Sequence, residues 1–152
     1  MAFSMGRLLL AVVAITLWSH AGRADGPVRY GTYYEDSGTN FSCSGLFCRL
    51  NLAQTPSDQI LMIKSVNCFV KSSQPLRSLQ IAVTPTLGGL SSRNRYLPFN
   101  ANLPGDGYYY YNVQQEVLFL IGASRFPFAA FDTTASASGF LKCTIAGELM
   151  NP

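Results

Sequence analysis

The sequence is almost devoid of histidine and tryptophan, and it is poor in charge. Its 152 residues include one histidine, one tryptophan and only 12% charged side chains. Both rare residues, Trp18 and His20, precede Ala24, where cleavage is expected. A chain starting at Asp25 would have no histidine, which excludes Ser-His-Asp and Cys-His catalysis and histidine-based metal sites. The sequence therefore predicts no enzyme, no metal site and no cofactor.

The N-terminal residues Met1–Ala24 have the composition of a secretory signal peptide. Arg7 gives a positive start, Leu8–Trp18 is an apolar run, and Gly22-Arg23-Ala24 fits the small-x-small cleavage pattern. The apolar run is shorter than the roughly 20 residues that span a membrane. We therefore expect an exported chain, periplasmic or extracellular, that consists of one domain over residues 25–152.

Most of the net positive charge comes from the predicted signal. The formal net charge is +3, and loss of Arg7 and Arg23 leaves a nearly neutral chain. A nearly neutral chain lacks the basic surface of nucleic-acid-binding proteins, so no nucleic acid is expected as a partner. The short basic stretch at residues 93–95 is interpreted as a solvated loop.

The rest of the sequence has the pattern of a β-protein. Segments rich in β-branched and aromatic residues alternate with Gly, Pro, Asn and Ser, and no amphipathic helix stands out. We predict an all-β fold, an antiparallel β-sandwich of the jelly-roll or Ig-like kind with about seven strands, with a closed barrel as the alternative. The expected strands are Arg29–Glu35, Leu46–Ala53, Gln59–Lys71, Arg77–Thr84, Tyr108–Ile121, Ser124–Thr133 and Gly139–Leu149. Alternation predicts these inward side chains: Met62, Val66, Cys68 and Val70 in the third strand, Leu79, Ile81 and Val83 in the fourth, and Leu141, Cys143 and Ile145 in the last.

Three segments need a separate interpretation. Pro127 predicts that its strand lies at an edge or carries a bulge, because proline cannot donate to a sheet ladder. Pro85–Gly107 is either a functional loop or contains a strand near Arg95–Phe99, and we favour the strand. The oxygen-rich stretch Tyr34–Asn40 lacks the spacing of a calcium loop and is interpreted as a polar turn.

All four cysteines follow the predicted signal, and an even number in an exported chain indicates disulfides. Cys68 and Cys143 each lie in phase with the apolar face of their strand, so we expect them to meet across the core. Cys43 and Cys48 are expected to form the second bridge, around a turn at Gly45. A redox pair would have two intervening residues rather than four, and a zinc site would need all four cysteines at unsuitable spacings. The bridges are therefore interpreted as structural.

Four consecutive tyrosines, Tyr108–Tyr111, must divide between the two faces of a strand. Tyr109 and Tyr111 continue an apolar row, whereas the alternate residues form a face of mixed aromatic and polar groups. This face is either ordinary sheet packing, since tyrosine favours strands, or a recognition surface for a sugar or a protein. The candidate binding residues are Tyr108, Tyr110, Asn112 and Gln114.

The sequence leaves several functions open. The leading hypothesis is a small exported, non-enzymatic binding module whose ligand is a carbohydrate or another protein. The alternative is a structural or assembly component of the cell envelope that acts through sheet edges. A third hypothesis, a hydrolase that uses two carboxylates, requires two of the eight acidic residues to face each other across a cleft.

Overall fold

The fold is described by a computed structural model that covers residues 26–102 and 106–152. The predicted signal peptide, Met1–Ala24, lies outside the described residues. Within them the chain forms eight β-strands and no helix. The strands are β1 (Val28–Tyr30), β2 (Tyr33–Asn51), β3 (Ile60–Ser72), β4 (Leu76–Thr84), β5 (Arg93–Tyr96), β6 (Ala101–Asn102), β7 (Tyr109–Ile121) and β8 (Phe126–Met150).

All strand pairs are antiparallel, which confirms the predicted all-β antiparallel class. The sheet order is β1-β2-β8-β3-β7-β6, with β4 also pairing β8 and β5 pairing β4. The sheet has two parts, one that contains β4 and β5 and one that contains β3 and β7. Hydrogen bonding continues from one part to the other because the long strands β2 and β8, with 19 and 25 residues, belong to both. Residues 126–133 of β8 pair with β4, whereas residues 139–150 pair with β3. The strands predicted as Ser124–Thr133 and Gly139–Leu149 are therefore one strand.

Both parts of the sheet contribute to one hydrophobic cluster. The predicted inward residues Leu79 and Ile81 of β4 and Leu141 and Ile145 of β8 are fully buried, as is Tyr111 of β7 at 1% exposure. Alternation along these strands therefore places their apolar sides in a shared core. A small second cluster, Phe128 and Ala130 of β8 with Ala82 of β4, is buried on the other side of the sheet. The opposite side of β3, of β7 and of residues 139–150 of β8 faces solvent.

The predicted phase of β3 is wrong at its start. Met62 was expected to share the inward face with Val66, but Ile63 is buried instead. The pairing shifts register after Ile63, and the exposed Lys64 lies in this irregularity. A bulge inserts one residue and reverses the alternation, which explains a lysine within the apolar pattern. Lys64 forms an exposed ion pair with Glu148 at 2.6 Å.

The expectation that Pro127 marks an edge or a bulge is also wrong. At this end β8 has a partner on each side, because Phe128 pairs with Asn51 of β2 and Pro127 pairs with Val83 of β4. Pro127 lies one residue past the last pair that β8 forms with β2, so its missing N–H removes no bond from that ladder. Its carbonyl still accepts the backbone N–H of Leu52 at 3.0 Å.

Two segments for which a loop or a turn was considered, Pro85–Gly107 and Tyr34–Asn40, contain strands. Pro85–Gly107 contains β5 and β6, so the predicted hidden strand exists, although β5 begins at Arg93 rather than near Arg95. The basic stretch 93–95 is thus strand rather than loop. Tyr34–Asn40 is not a turn but part of β2, paired with β8 from Gly147 to Leu141.

The structure contains two disulfides, Cys43–Cys48 and Cys68–Cys143. Both pairings were predicted, but the expectation that Cys68 and Cys143 meet across the core is wrong. They lie directly opposite each other on the neighbouring strands β3 and β8. Cys43 and Cys48 are both in β2, on either side of Gly45, whose φ of +96° favours glycine. Two disulfides indicate folding in an oxidising environment. Residues 26–102 and 106–152 contain no helix able to cross a membrane.

Candidate functional site

The four predicted binding residues lie at the start of β7 and along its outer side. Tyr108 precedes the strand, and Tyr110, Asn112 and Gln114 alternate with the buried Tyr111 and Val113. Asn112 and Gln114 are exposed, and the two candidate tyrosines are partly buried. The run of tyrosines therefore divides between core and surface.

Charged neighbours hold the two tyrosines in place. The hydroxyl of Tyr110 donates to Asp106 Oδ2 at 2.6 Å, and the backbone N–H of Tyr108 donates to Asp106 Oδ1 at 3.1 Å. Lys71 Nζ is 4.0 Å from the ring centre of Tyr108 and 4.0 Å from Asp106 Oδ2. The hydrogen bond from Tyr110, with support from Tyr108 and Lys71, lowers the pKa of Asp106. Asp106 is thus ionised at neutral pH and anchors both tyrosines.

Three phenylalanines extend this surface across the sheet. Phe69 of β3 lies 6.2 Å from Tyr110 between ring centres, Phe140 of β8 lies 5.6 Å from Phe69, and Phe41 of β2 lies 6.3 Å from Phe140. One ring therefore comes from each of four adjacent strands. We call Phe41, Phe140, Phe69 and Tyr110 the aromatic row.

Hydrogen-bonding side chains lie beside the aromatic row. The register places Asn112 and Lys142 on the two sides of Phe69, and Lys71 between Tyr110 and Phe140. In the same way, Asn67 lies between Gln114 and Thr144 one row further along. The outer side of the sheet is therefore a pattern of rings interleaved with amides and ammonium groups.

Sequence reasoning missed the three phenylalanines of this row. The signal was present locally, because Phe69 lies between the inward Cys68 and Val70, and Phe140 precedes the inward Leu141. Alternation alone would have placed both rings on the outer face. It could not place them beside Tyr110, since that requires the order of the strands.

A buried polar pair lies apart from this surface, on the inner side of β2. Asp36 is only 2% exposed, and its Oδ2 accepts the backbone N–H of Ala53 at 2.7 Å. Its Oδ1 and the hydroxyl of Tyr34 have no hydrogen-bond partner within the described residues. Burial raises the pKa of Asp36 and that of Tyr34. A carboxyl with a raised pKa suits acid catalysis, but this one is closed to substrate.

Replacement of Asp36 by asparagine is expected to stabilise the protein at pH 7 by about 1 kcal/mol, since the neutral amide keeps the bond from the Ala53 N–H and removes the cost of burying a charge. Because burial raises the pKa of Asp36, the folded protein binds a proton at this carboxyl more tightly than the unfolded chain does. The parent should therefore lose stability as pH rises from the ordinary aspartate pKa through the folded value, and Asp36→Asn should not. Urea unfolding between pH 3 and 8 measures this difference. Asp58→Asn, at an exposed turn, is the control; a destabilised Asp36→Asn at pH 7 would contradict the account.

The described ranges contain no group of three histidine, cysteine, aspartate or glutamate side chains that could hold a metal ion. The disulfides occupy all four cysteines. What the outer surface offers is flat aromatic area and hydrogen-bond donors, which suits binding. No known protein family matches this chain, and no curated protein is similar to it in sequence.

Proposed function

We propose that this protein is a small exported, non-enzymatic binding module, and that its ligand is a carbohydrate held on the aromatic row. The aromatic row itself is the observation that carries the proposal. Ring faces offer flat apolar area for the C–H faces of pyranose rings, and the neighbouring amides and lysines can hydrogen-bond hydroxyl groups. Export would place the module in the periplasm or outside the cell.

Sheet packing explains the contacts within the row but not its exposure. Cross-strand aromatic pairs stabilise a sheet by a few tenths to about 1 kcal/mol each. The core of this protein, however, lies on the other side of the same strands, and Phe41 remains 72% exposed. Phe69 is 38% exposed. Contiguous exposed apolar surface is uncommon on monomeric proteins and marks interaction sites.

The groups around the row favour binding over hydrolysis. Glycoside hydrolysis requires two carboxyls roughly 5 to 9.5 Å apart on either side of the bond that breaks. The carboxylate that contacts the row is Asp106, and its oxygens are engaged by Tyr110, Lys71 and the Tyr108 backbone. Among the described residues, the carboxylate at this open surface is thus already engaged, which supports recognition of a sugar chain without cleavage.

A glycan array with the purified chain tests this function. Phe69→Ala with Phe140→Ala removes the two central rings, and binding should fall at least about tenfold, which corresponds to 1.4 kcal/mol. Tyr108→Ala with Tyr110→Ala removes the end that Asp106 anchors and should also weaken binding. Tyr30→Ala is the control, because it also removes an aromatic ring from the surface, but from β1 and outside the aromatic row. Tyr30 is 85% exposed.

Three results would be informative. Binding by the parent and by Tyr30→Ala, with loss in both double variants at unchanged circular dichroism, supports the aromatic row as the site. Equal binding by all variants would place the site elsewhere. No binding of any glycan by the parent would contradict a carbohydrate ligand and would leave a protein as the better account of this surface.

A further inference from the structure

A cavity lies where β5 ends, and it shares no residue with the aromatic row. β5 pairs with β4 up to Tyr96, and Leu97 adds one more bond, from its N–H to the carbonyl of Leu79 at 2.8 Å. Beyond Leu97 the chain leaves β4 and continues to β6, which pairs with β7. Within the described residues, no strand therefore covers this side of β4 at its start, and a cavity of about 370 Å³ remains there.

Apolar and aromatic side chains form much of the cavity wall. Leu97 is buried, and Phe99 is held by an edge-to-face contact with Tyr111, with 5.3 Å between the ring centres. Tyr96 is 65% exposed and extends the wall on the side of β5. Pockets for small ligands combine mostly apolar walls with a few polar groups, and their volumes begin at roughly 300 Å³. The cavity therefore suits a small molecule with an apolar part.

Two opposite charges line the cavity without pairing with each other. Asp132 of β8 lies directly opposite Ser78 of β4, and the hydroxyl of Ser78 donates to its Oδ2 at 2.6 Å. Arg77 is the neighbouring residue of β4, in the irregularity between Leu76 and Ser78. A bulge redirects the side chain that it carries, and Arg77 lines the same cavity as Asp132. Among the residues that the structure describes, Arg77 forms no ion pair, and Asp132 Oδ1 accepts no hydrogen bond.

We propose that this cavity binds a free α-amino acid with an apolar side chain. The guanidinium of Arg77 binds the carboxylate through two parallel hydrogen bonds, a geometry that is both strong and specific. The ammonium group of the ligand donates to Asp132 Oδ1, while the bond from Ser78 to Oδ2 keeps this carboxylate oriented. The ligand side chain packs against Leu97 and Phe99.

The two charges select a zwitterion over other small molecules. A neutral sugar would displace water from Arg77 and Asp132 without supplying either with an opposite charge, which costs free energy. A simple carboxylic acid would pair with Arg77 alone, and a simple amine with Asp132 alone. An α-amino acid carries both charges on one carbon atom, so it can bridge side chains of neighbouring strands, which lie roughly 5 Å apart. The apolar wall then favours an apolar side chain, because burial of apolar surface stabilises the complex.

Isothermal titration calorimetry of the whole chain with L-leucine and L-phenylalanine tests this site. At least one of them should bind the parent with a dissociation constant in the micromolar to millimolar range. Isopentylamine and phenethylamine lack the carboxylate of these two amino acids, and isocaproic acid and hydrocinnamic acid lack the ammonium group. Each analogue should bind at least about tenfold more weakly than its amino acid, because it leaves one charge of the cavity unpaired.

Two variants separate the roles of the two charges. Arg77→Gln should weaken binding of the amino acid at least about tenfold, and the amino acid should then bind no better than the amine. Asp132→Asn keeps an acceptor for Ser78, and it should bind the amino acid no better than the acid. Arg125→Gln and Asp58→Asn neutralise exposed charges outside the cavity, so both should bind like the parent.

The proposal is overturned if the parent binds neither amino acid at millimolar concentration, or if an analogue binds as tightly as its amino acid. The latter result would assign the cavity to a ligand with a single charge. Unchanged binding by Arg77→Gln and Asp132→Asn would also overturn it, because the amino acid would then bind elsewhere. The comparison of analogues uses the parent, so it tests the proposal even if a variant folds poorly. No glycan is present in the titration, so the result is independent of the carbohydrate proposal.

Discussion

Loss of the Cys68–Cys143 bridge through Cys68→Ala with Cys143→Ala is expected to lower the free energy of unfolding by about 4 to 5 kcal/mol. The bridge closes a long loop, because its cysteines are 75 positions apart. Loop closure of this length removes entropy from the unfolded chain worth about 4.5 kcal/mol. Domains of this size are stable by about 5 to 15 kcal/mol in total, so the variant should be marginal at 37 °C.

The second bridge provides an internal comparison. Cys43 and Cys48 are only 5 positions apart, so Cys43→Ala with Cys48→Ala should cost about 2 kcal/mol by the same reasoning. Guanidinium unfolding followed by circular dichroism measures both variants against the parent. Equal losses, or a larger loss for the short bridge, would show that loop closure is not the main contribution of these disulfides.

The same expectation links stability to location. If one bridge provides such a large share of the stability, the reduced chain should unfold readily, and reductant should lower the parent's unfolding midpoint to that of the bridge variants. A protein with this property accumulates in folded form only where thiols are oxidised. The two disulfides therefore support export independently of Met1–Ala24, whose composition alone predicted it.

Local alternation made much of the fold predictable. The inward positions of β4, such as Leu79 and Ile81, and those of β8, such as Leu141 and Ile145, follow from period-two burial within each strand. Met62 was misplaced because a bulge depends on the partner strands rather than on β3 itself. The length of β8 was missed for a similar reason, since its continuity is provided by pairing with β2.

The candidate site was predictable only on one strand. Tyr108 and Tyr110 could be placed on an outer face because they are neighbours in sequence. Phe41, Phe69 and Phe140 join them because the last strand, β8, lies between β2 and β3, an order that depends on contacts far apart in the chain. The surface is thus a product of topology, and no short segment of the sequence contains it.

Gly147→Ala is expected to lower the free energy of unfolding by roughly 3 kcal/mol or more. Gly147 is buried in β8 opposite Ile63, where the register of β3 shifts. A Cβ at this position would overlap the carbonyl oxygen of Met62 and lie 2.9 Å from the Cα of Ile63. Both are backbone atoms, so two paired strands would have to separate. Gly122→Ala is the matched control, because its Cβ would meet only Arg125 Cγ at 3.9 Å.

The control should be neutral or gain about 0.4 to 1 kcal/mol from lower entropy of the unfolded chain. Urea unfolding compares both variants with the parent, and an unchanged stability of Gly147→Ala would mean that β3 can move its bulge.

Gly147 also affects the binding surface, because the bulge sets the phase that turns Phe69 outward. A residual folded fraction of Gly147→Ala with a displaced bulge should therefore bind glycan more weakly than Gly122→Ala. This difference would show that register in β3, and not aromatic content alone, assembles the aromatic row.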